Sequence, residues 1–111
     1  MSDCVFCKII KKEIPSTIVD EDEEMIAFKD IYPLAPVHIL IVPKVHFSSL
    51  VEAKNEQQDL LGKLLLKTRD IAVSQGIDKT GYKVFINNGE GAGQDVFHLH
   101  LHLTGNWKKG V

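Results

Sequence analysis

Val96-Phe97-His98-Leu99-His100-Leu101-His102-Leu103 is the stretch on which the reading of this chain turns. Along an extended strand, residues i, i+2 and i+4 point to one face. His98, His100 and His102 therefore share a face, and Leu99, Leu101 and Leu103 share the opposite one, which reads as core. The whole chain has five histidines, so three at strict period two are not what composition alone produces. One metal ion is a poor partner for all three. Neighbours two residues apart lie about 6.6 Å from each other and the outer pair about 13 Å, whereas a Zn–N bond is about 2.0–2.1 Å. Two adjacent imidazoles could share an ion, but the full row suits an acid–base or nucleophilic site, because histidine changes charge near neutral pH. The central member, His100, is the candidate nucleophile.

Outward from this stretch, the loop 88–95 carries Gly89, Gly91 and Gly93. Glycines allow close approach of a ligand to the backbone, and successive N–H groups can form a nest for phosphate oxygens. Such loops are common in hairpins. Feeding directly into a histidine row, this one reads as a phosphate site beside a nucleophile. Further back, Tyr82 to Asn87 reads as a strand. Glu56 to Ser74 carries Leu60, Leu61, Leu64, Leu65, Thr68, Ile71 and Ala72 at helical spacing, the one long helix, stopped near Gly76. His38 to Val42 is a continuous apolar run and reads as a buried strand ended by Pro43. Tyr32 to Pro36 is a loop with two prolines. Thr17 to Asp20 and Met25 to Lys29 read as short strands around an acidic turn. Cys4 to Lys12 has a short amphipathic helix pattern. Residues 1–111 are expected to form a single α+β domain: a five-stranded antiparallel sheet with one long and one short helix.

The totals agree with one ordinary globular domain. The 111 residues are 44% hydrophobic and 25% charged, and the net charge is −2. That balance offers no basic field for nucleic-acid backbones, and no apolar run is long enough to cross a membrane. Met1-Ser2-Asp3 lacks the start of a signal peptide, so the expected location is cytoplasmic and the two cysteines are expected to be thiols or metal ligands. Cys4-Val5-Phe6-Cys7 is a CxxC whose own reading leaves a redox pair, two packed thiols or half a zinc site.

These segments together resemble the histidine triad (HIT) nucleotide-binding family, in its Hint-like branch. The resemblance rests on Gly93-Gln94-Asp95-Val96-Phe97 leading into His98-Leu99-His100-Leu101-His102-Leu103, on Lys8-Ile9-Ile10 through Glu13-Ile14-Pro15, on Ala27-Phe28-Lys29-Asp30-Ile31, and on Ala35-Pro36-Val37-His38 followed by His46. It runs from Cys4 to Gly105. It implies a HIT-like fold and a homodimer joined through the strand after the long helix. It further implies binding of purine nucleoside monophosphates (AMP, GMP) and hydrolysis of a P–N bond at the α-phosphate through a nucleotidyl-histidine on His100. In that reading His102 and His38 flank the phosphate and share protons, and Asp30 accepts the ribose hydroxyls. Phe6, Ile9, Ile14, Phe28 and Ile31 line the base pocket, and Asn87, Gly93, Gln94, Asp95 and Val96 hold the phosphate. Several relatives hold a structural zinc with the CxxC and two histidines, which match Cys4, Cys7, His46 and His98 here; no catalytic metal is expected. Taken singly, most of these residues have plainer readings: Phe6, Ile9, Phe28 and Ile31 as core, Asp30 and Asn87-Asn88-Gly89 as turn residues.

Three departures from the pattern bear on selectivity. Thr104 replaces an apolar residue after the triad. Asp95 stands where many relatives have a serine that contacts the leaving group. The chain ends at Val111, soon after Trp107, where relatives extend a tail toward a neighbour's site. The alternatives within the family are a dinucleoside polyphosphate hydrolase, a nucleotidyl transferase or a non-catalytic nucleotide-binding protein. Outside it stands a metal oxidoreductase using His98 and His100 as ligands.

Overall fold

Alternating side chains sort the apolar residues onto two sides of one sheet, and each side recruits its own helix. The computed structural model describes residues 4–107, so the C-terminal tail lies outside the described residues. The elements run α1 (Val5–Ile10), β1 (Ile18–Glu21), β2 (Met25–Lys29), β3 (Val37–Pro43), α2 (Gln58–Ser74), β4 (Tyr82–Phe85) and β5 (Leu101–Gly105). All pairings are antiparallel, in the order β1-β2-β3-β5-β4. The expected class and element order are observed.

On one side, Met25 and Ala27 of β2, Ile39 and Ile41 of β3, and Leu101 and Leu103 of β5 pack with Leu99 against Leu64, Ile71 and Ala72 of α2. On the other, Ile26, Phe28, Leu40 and Val42 pack against Phe6 and Ile9 of α1. The central strands β2 and β3 are therefore covered on both faces, which explains their near-continuous apolar sequence. α2 ends in a Schellman motif: Gly76, at φ 74°, takes the left-handed position, and the Ile77 N–H bonds the Ala72 carbonyl at 3.1 Å. Leu65, expected on the packed face, is exposed, because burial follows Leu64, Thr68, Ile71 and Ala72 along a narrower stripe.

The boundaries at the histidine end differ from the expectation in an instructive way. The last strand was expected over Val96 to Leu103 but pairs only over Leu101–Gly105, and β4 ends at Phe85 rather than Asn87. β3 includes Pro43 as its last residue, and its ladder to β5 stops at Ile41 opposite Leu101. The Pro43 carbonyl is taken by the His98 side chain at 2.7 Å, and the Leu99 N–H bonds the Phe47 carbonyl at 2.8 Å. The chain thus leaves the sheet before His100, although the leucines still turn to the α2 side. Similarly, α2 starts at Gln58 behind a separate 3-10 turn, Asn55–Gln57.

Removing the fully buried Leu64 side chain leaves a cavity, so Leu64→Ala is expected to cost about 2–5 kcal/mol in urea unfolding. The outward Leu65→Ala should stay within about 0.5 kcal/mol of the parent. Equal effects would show that the two leucines are not divided between core and surface as described.

Candidate active site

α1 and the sheet leave a cavity between them, about 240 Å³ in volume. Its inner walls are apolar: Phe6 and Ile9 from α1, Ile14 after it, Phe28 and Leu40 from the sheet, with Ile31 at the mouth. Phe6 meets Phe28 edge-on, with ring centroids 5.4 Å apart. One end is polar, closed by Asp30, Asp95, His100 and His102, with Val96 beside them. The cavity therefore combines an apolar slot for a flat ring with convergent titratable groups at one end, the usual anatomy of a small-ligand site.

The hydrogen bonds assign the histidine tautomers. His100 Nδ1 lies 2.7 Å from the His98 carbonyl oxygen, which can only accept. Neutral His100 thus carries its proton on Nδ1 and keeps the lone pair on Nε2. The Leu34 N–H donates to His38 Nδ1 at 3.0 Å, so neutral His38 carries its proton on Nε2. That nitrogen donates to His102 Nδ1, 2.9 Å away, with Asp30 Oδ2 at 3.5 Å beyond it. His102 in turn carries its proton on Nε2, which is buried and has no hydrogen-bond partner. A buried donor without an acceptor is costly unless a ligand supplies one. His102 is held between Leu40, its partner on β3, and Phe85, whose ring stacks on it with centroids 4.5 Å apart.

Burial is the main electrostatic influence here. It pushes His38, His100 and His102 below the ordinary imidazole value, His102 to about 4. Neighbouring imidazoles push His38 and His102 the same way, while the Asp30 carboxylate opposes the shift in all three and Asp95 opposes it in His100 and His102. At neutral pH these rings are neutral, as a nucleophile requires.

A second cluster lies on the other side of His98. Cys4, Cys7, His46 and His98 bring four ligand atoms within 4.8 Å of one another. Cys4 caps α1 by accepting the Cys7 N–H. Sγ of Cys4 is 3.4 Å and Sγ of Cys7 3.6 Å from His98 Nδ1; Cys7 Sγ is 3.4 Å from His46 Nδ1, and the two Nδ1 atoms are 3.1 Å apart. A tetrahedral zinc with bonds of about 2.3 Å to sulfur and 2.0–2.1 Å to nitrogen sets its ligand atoms roughly 3.3–3.8 Å apart. His98 Nε2 donates to the Pro43 carbonyl, which leaves Nδ1 as the free lone pair pointing into the cluster. The residues therefore fit such an ion. Asp30, His38 and His102 also lie within 4.8 Å of one another. There, however, the His38 nitrogen facing the group carries a proton, so they form a hydrogen-bond chain rather than a ligand set.

The expected residues are placed as follows. Phe6, Ile9, Ile14, Phe28, Asp30, Ile31, Asp95, Val96, His100 and His102 line the cavity. His38 stands behind His102, and Asp30 Oδ1 already accepts the Tyr32 N–H at 2.8 Å. Asn87, Gly93 and Gln94 do not line the cavity. The buried Gln94 side chain is spent on the loop itself: its amide nitrogen donates to the Ser48 and Val96 carbonyls, and its oxygen accepts the Gly89 N–H. Gly93 takes the left-handed conformation at φ 87°, which turns the loop back toward Asp95. Residues not anticipated are Leu40, Phe85 and Lys29 as side chains, and Leu34, Pro43 and Phe47 through their backbones. Backbone contributions carry no residue signature, and the Phe85–His102 pairing depends on strand register.

With this geometry in view, the comparisons define the class: the chain belongs to the histidine triad family. Residues 3–110 match the family model described as scavenger mRNA decapping enzyme C-term binding. Among individual proteins, the chain is 55% identical over 105 residues to Protein HitA of Neisseria gonorrhoeae, covering 95% of this chain and 97% of that protein. It is 45% identical over 114 residues to the 14 kDa zinc-binding protein of Brassica juncea, covering 97% and 100%. A solved HIT family hydrolase from Clostridium thermocellum superposes with a TM-score of 0.95 at 47% identity, covering 100% of this chain and 96% of the other. The histidine triad nucleotide-binding protein from Candida albicans superposes at 0.84 with 35% identity, covering 98% and 85%.

A pH dependence follows from the buried imidazoles. An unfolded histidine takes up its proton near 6.5 and folded His102 only near 4, so between these values the unfolded chain holds more protons. Stability is then fully present above about 6.5 and is lost as pH falls toward 4, with His102 contributing a slope approaching about 1.4 kcal/mol per pH unit. Urea unfolding at several pH values in that window should give a flatter profile for His102→Phe, which keeps a ring against Phe85. An unchanged slope would mean that His102 is not held neutral.

Proposed function

We propose that the protein is a purine nucleoside monophosphate-binding hydrolase that cleaves P–N bonds at the α-phosphate through a nucleotidyl intermediate on His100. The observation that carries the reading is the pair at the polar end of the cavity: a free Nε2 lone pair on His100 beside an unpartnered Nε2–H on His102. A lone pair needs an electrophile and the orphan donor needs an acceptor; a phosphoryl group supplies both. The apolar slot formed by Phe6, Ile9, Phe28 and Leu40 suits a purine, and Asp30 at its rim suits ribose hydroxyls. The family names of hydrolases and nucleotide-binding proteins among the similar structures support the same class.

In this reading His100 Nε2 attacks the α-phosphorus and forms a P–N bond to the imidazole. Its positive charge is stabilised by the Nδ1–H bond to the His98 carbonyl. The anionic phosphoryl group beside His38 and His102 favours their charged form, against burial, so the pair gains a proton as substrate binds. That proton passes from His102 Nε2 to the leaving nitrogen as the original P–N bond breaks. Water then attacks phosphorus, His102 takes its proton, and the bond to His100 Nε2 breaks to release the monophosphate. All of this is done by side chains. Cys4, Cys7, His46 and His98 would hold a zinc ion apart from the reacting atoms, and the name of the Brassica juncea relative supports zinc as the metal. A homodimer through β4 is part of the same proposal. β4 is an edge strand whose Tyr82 and Val84 are exposed, an arrangement that a second copy can cover.

His100→Ala is expected to abolish turnover of adenosine and guanosine phosphoramidates while nucleoside monophosphate binding and the unfolding midpoint stay close to wild type. Turnover within tenfold of wild type would remove His100 from this role. Asp95 supplies a second test. Its carboxylate lines the polar end, where a polyphosphate leaving group would bring like charge and an amine would not. Wild type should prefer adenosine 5′-phosphoramidate over diadenosine triphosphate by at least about a hundredfold in kcat/KM, and Asp95→Ser should narrow the gap. A wild-type preference for the triphosphate would reassign the substrate class.

A further inference from the structure

We propose that the Cys4/Cys7/His46/His98 cluster is the positioning centre for His100, with His98 acting as a positioning residue through its main-chain carbonyl rather than its ring. The inference rests on the reading of His100 as nucleophile and adds to it what holds that nucleophile in place. Pairing between β3 and β5 stops at Ile41 and Leu101, so His100 has no ladder partner. In the segment that carries it, the His100 ring hangs on one bond, Nδ1 to the His98 oxygen at 2.7 Å. The His98 backbone is in turn fixed from its own side chain, which is fully buried: Nε2–H on the Pro43 carbonyl and Nδ1 within 3.4–3.6 Å of both sulfurs. The remaining tie is the Leu99 N–H on the Phe47 carbonyl, and Phe47 directly follows the cluster residue His46. On the opposite side, Phe6 sits between the two cysteines and sets its ring edge-on to His100, 4.9 Å between centroids. Three separate segments therefore meet in the cluster, and each of them touches or bonds the stretch that presents His100.

Burial and the adjacent Cys4 thiol raise the Cys7 thiol above its ordinary value, so without a cation the four groups have little to hold them together. With a cation, the thiolates and the two Nδ1 lone pairs become mutually stabilising, and the His98 carbonyl is pinned. The cluster then does for residues 98–100 what the hydrogen-bond ladder does for 101–105. It also selects the tautomer: only a carbonyl held at Nδ1 keeps the proton there and the lone pair on Nε2.

The test uses the full chain, labelled with ¹⁵N, with its metal content measured first. Long-range imidazole ¹H–¹⁵N spectra report the His100 tautomer without reference to turnover. In zinc-loaded protein His100 should show a single Nδ1–H form. In chelator-stripped protein and in zinc-free His46→Ala the two tautomers should average, and kcat should fall at least tenfold while KM changes less than threefold. His46→Cys, which preserves four ligands, should restore both zinc and the single tautomer. If the stripped forms unfold, Cys4→Ser is titrated with zinc, with near-ultraviolet circular dichroism reporting folding separately. Tautomer and kcat should then saturate together with zinc occupancy. An identical single tautomer and unchanged kcat with and without zinc would overturn the proposal, as would a loaded wild type that holds no fixed tautomer. Zinc-loaded protein with the fixed tautomer but no turnover of any nucleotide phosphoramidate would instead remove the functional reading and leave the positioning intact.

Discussion

The hydrogen bond from His100 Nδ1 to the carbonyl of His98 is the contact on which the site depends. It spans only two residues, yet it requires the intervening chain to leave the sheet, because a carbonyl engaged in a ladder would face a neighbouring strand. The departure is enforced from outside the segment, by the Pro43 carbonyl on the His98 ring and the Phe47 carbonyl on the Leu99 N–H. The proline at the end of β3 contributes here through what it lacks: without an N–H it offers only an acceptor, and the buried His98 ring takes it.

Around that contact the sheet divides its labour. The α2 side is a closed aliphatic core that makes β2, β3 and β5 a rigid platform. The α1 side is covered by a helix of six residues, too short to fill the space, and the remainder is the cavity. A short helix is marginal by itself. α1 is held by its Cys4 cap, by Phe6 and Ile9 against Phe28 and Leu40, and by the cysteine–histidine cluster at its N-terminus. The wall of the cavity and the support of the histidines are thus parts of one construction.

The histidines themselves show how one residue type can take several roles through its surroundings. His98 and His102 both lie well below the ordinary imidazole value because they are buried, but His98 keeps its free lone pair toward two sulfurs and His102 turns an unpaired N–H into the site. His38 is the link between a backbone N–H and His102. In each case the partner of one ring nitrogen decides what the other can do.

Much of this was legible in the sequence. Period-two alternation was enough to separate Leu99, Leu101 and Leu103 from the three histidines, because the pleat keeps that alternation even where pairing has ended. Helical spacing placed Leu64, Thr68, Ile71 and Ala72 on one stripe, and the apolar run of β3 announced a strand covered on both sides. Pairs such as Cys4 with His98, 94 residues apart, came from resemblance and not from spacing. Tertiary structure alone decided where β5 begins and that the Gln94 side chain is spent on its own loop. It also set the Phe85 ring on His102 and the proton of each imidazole. The physical reason is the same throughout. Periodicity is a property of one segment and survives in the sequence, whereas register, backbone acceptors and tautomers are set by which atoms of distant segments come within hydrogen-bonding distance.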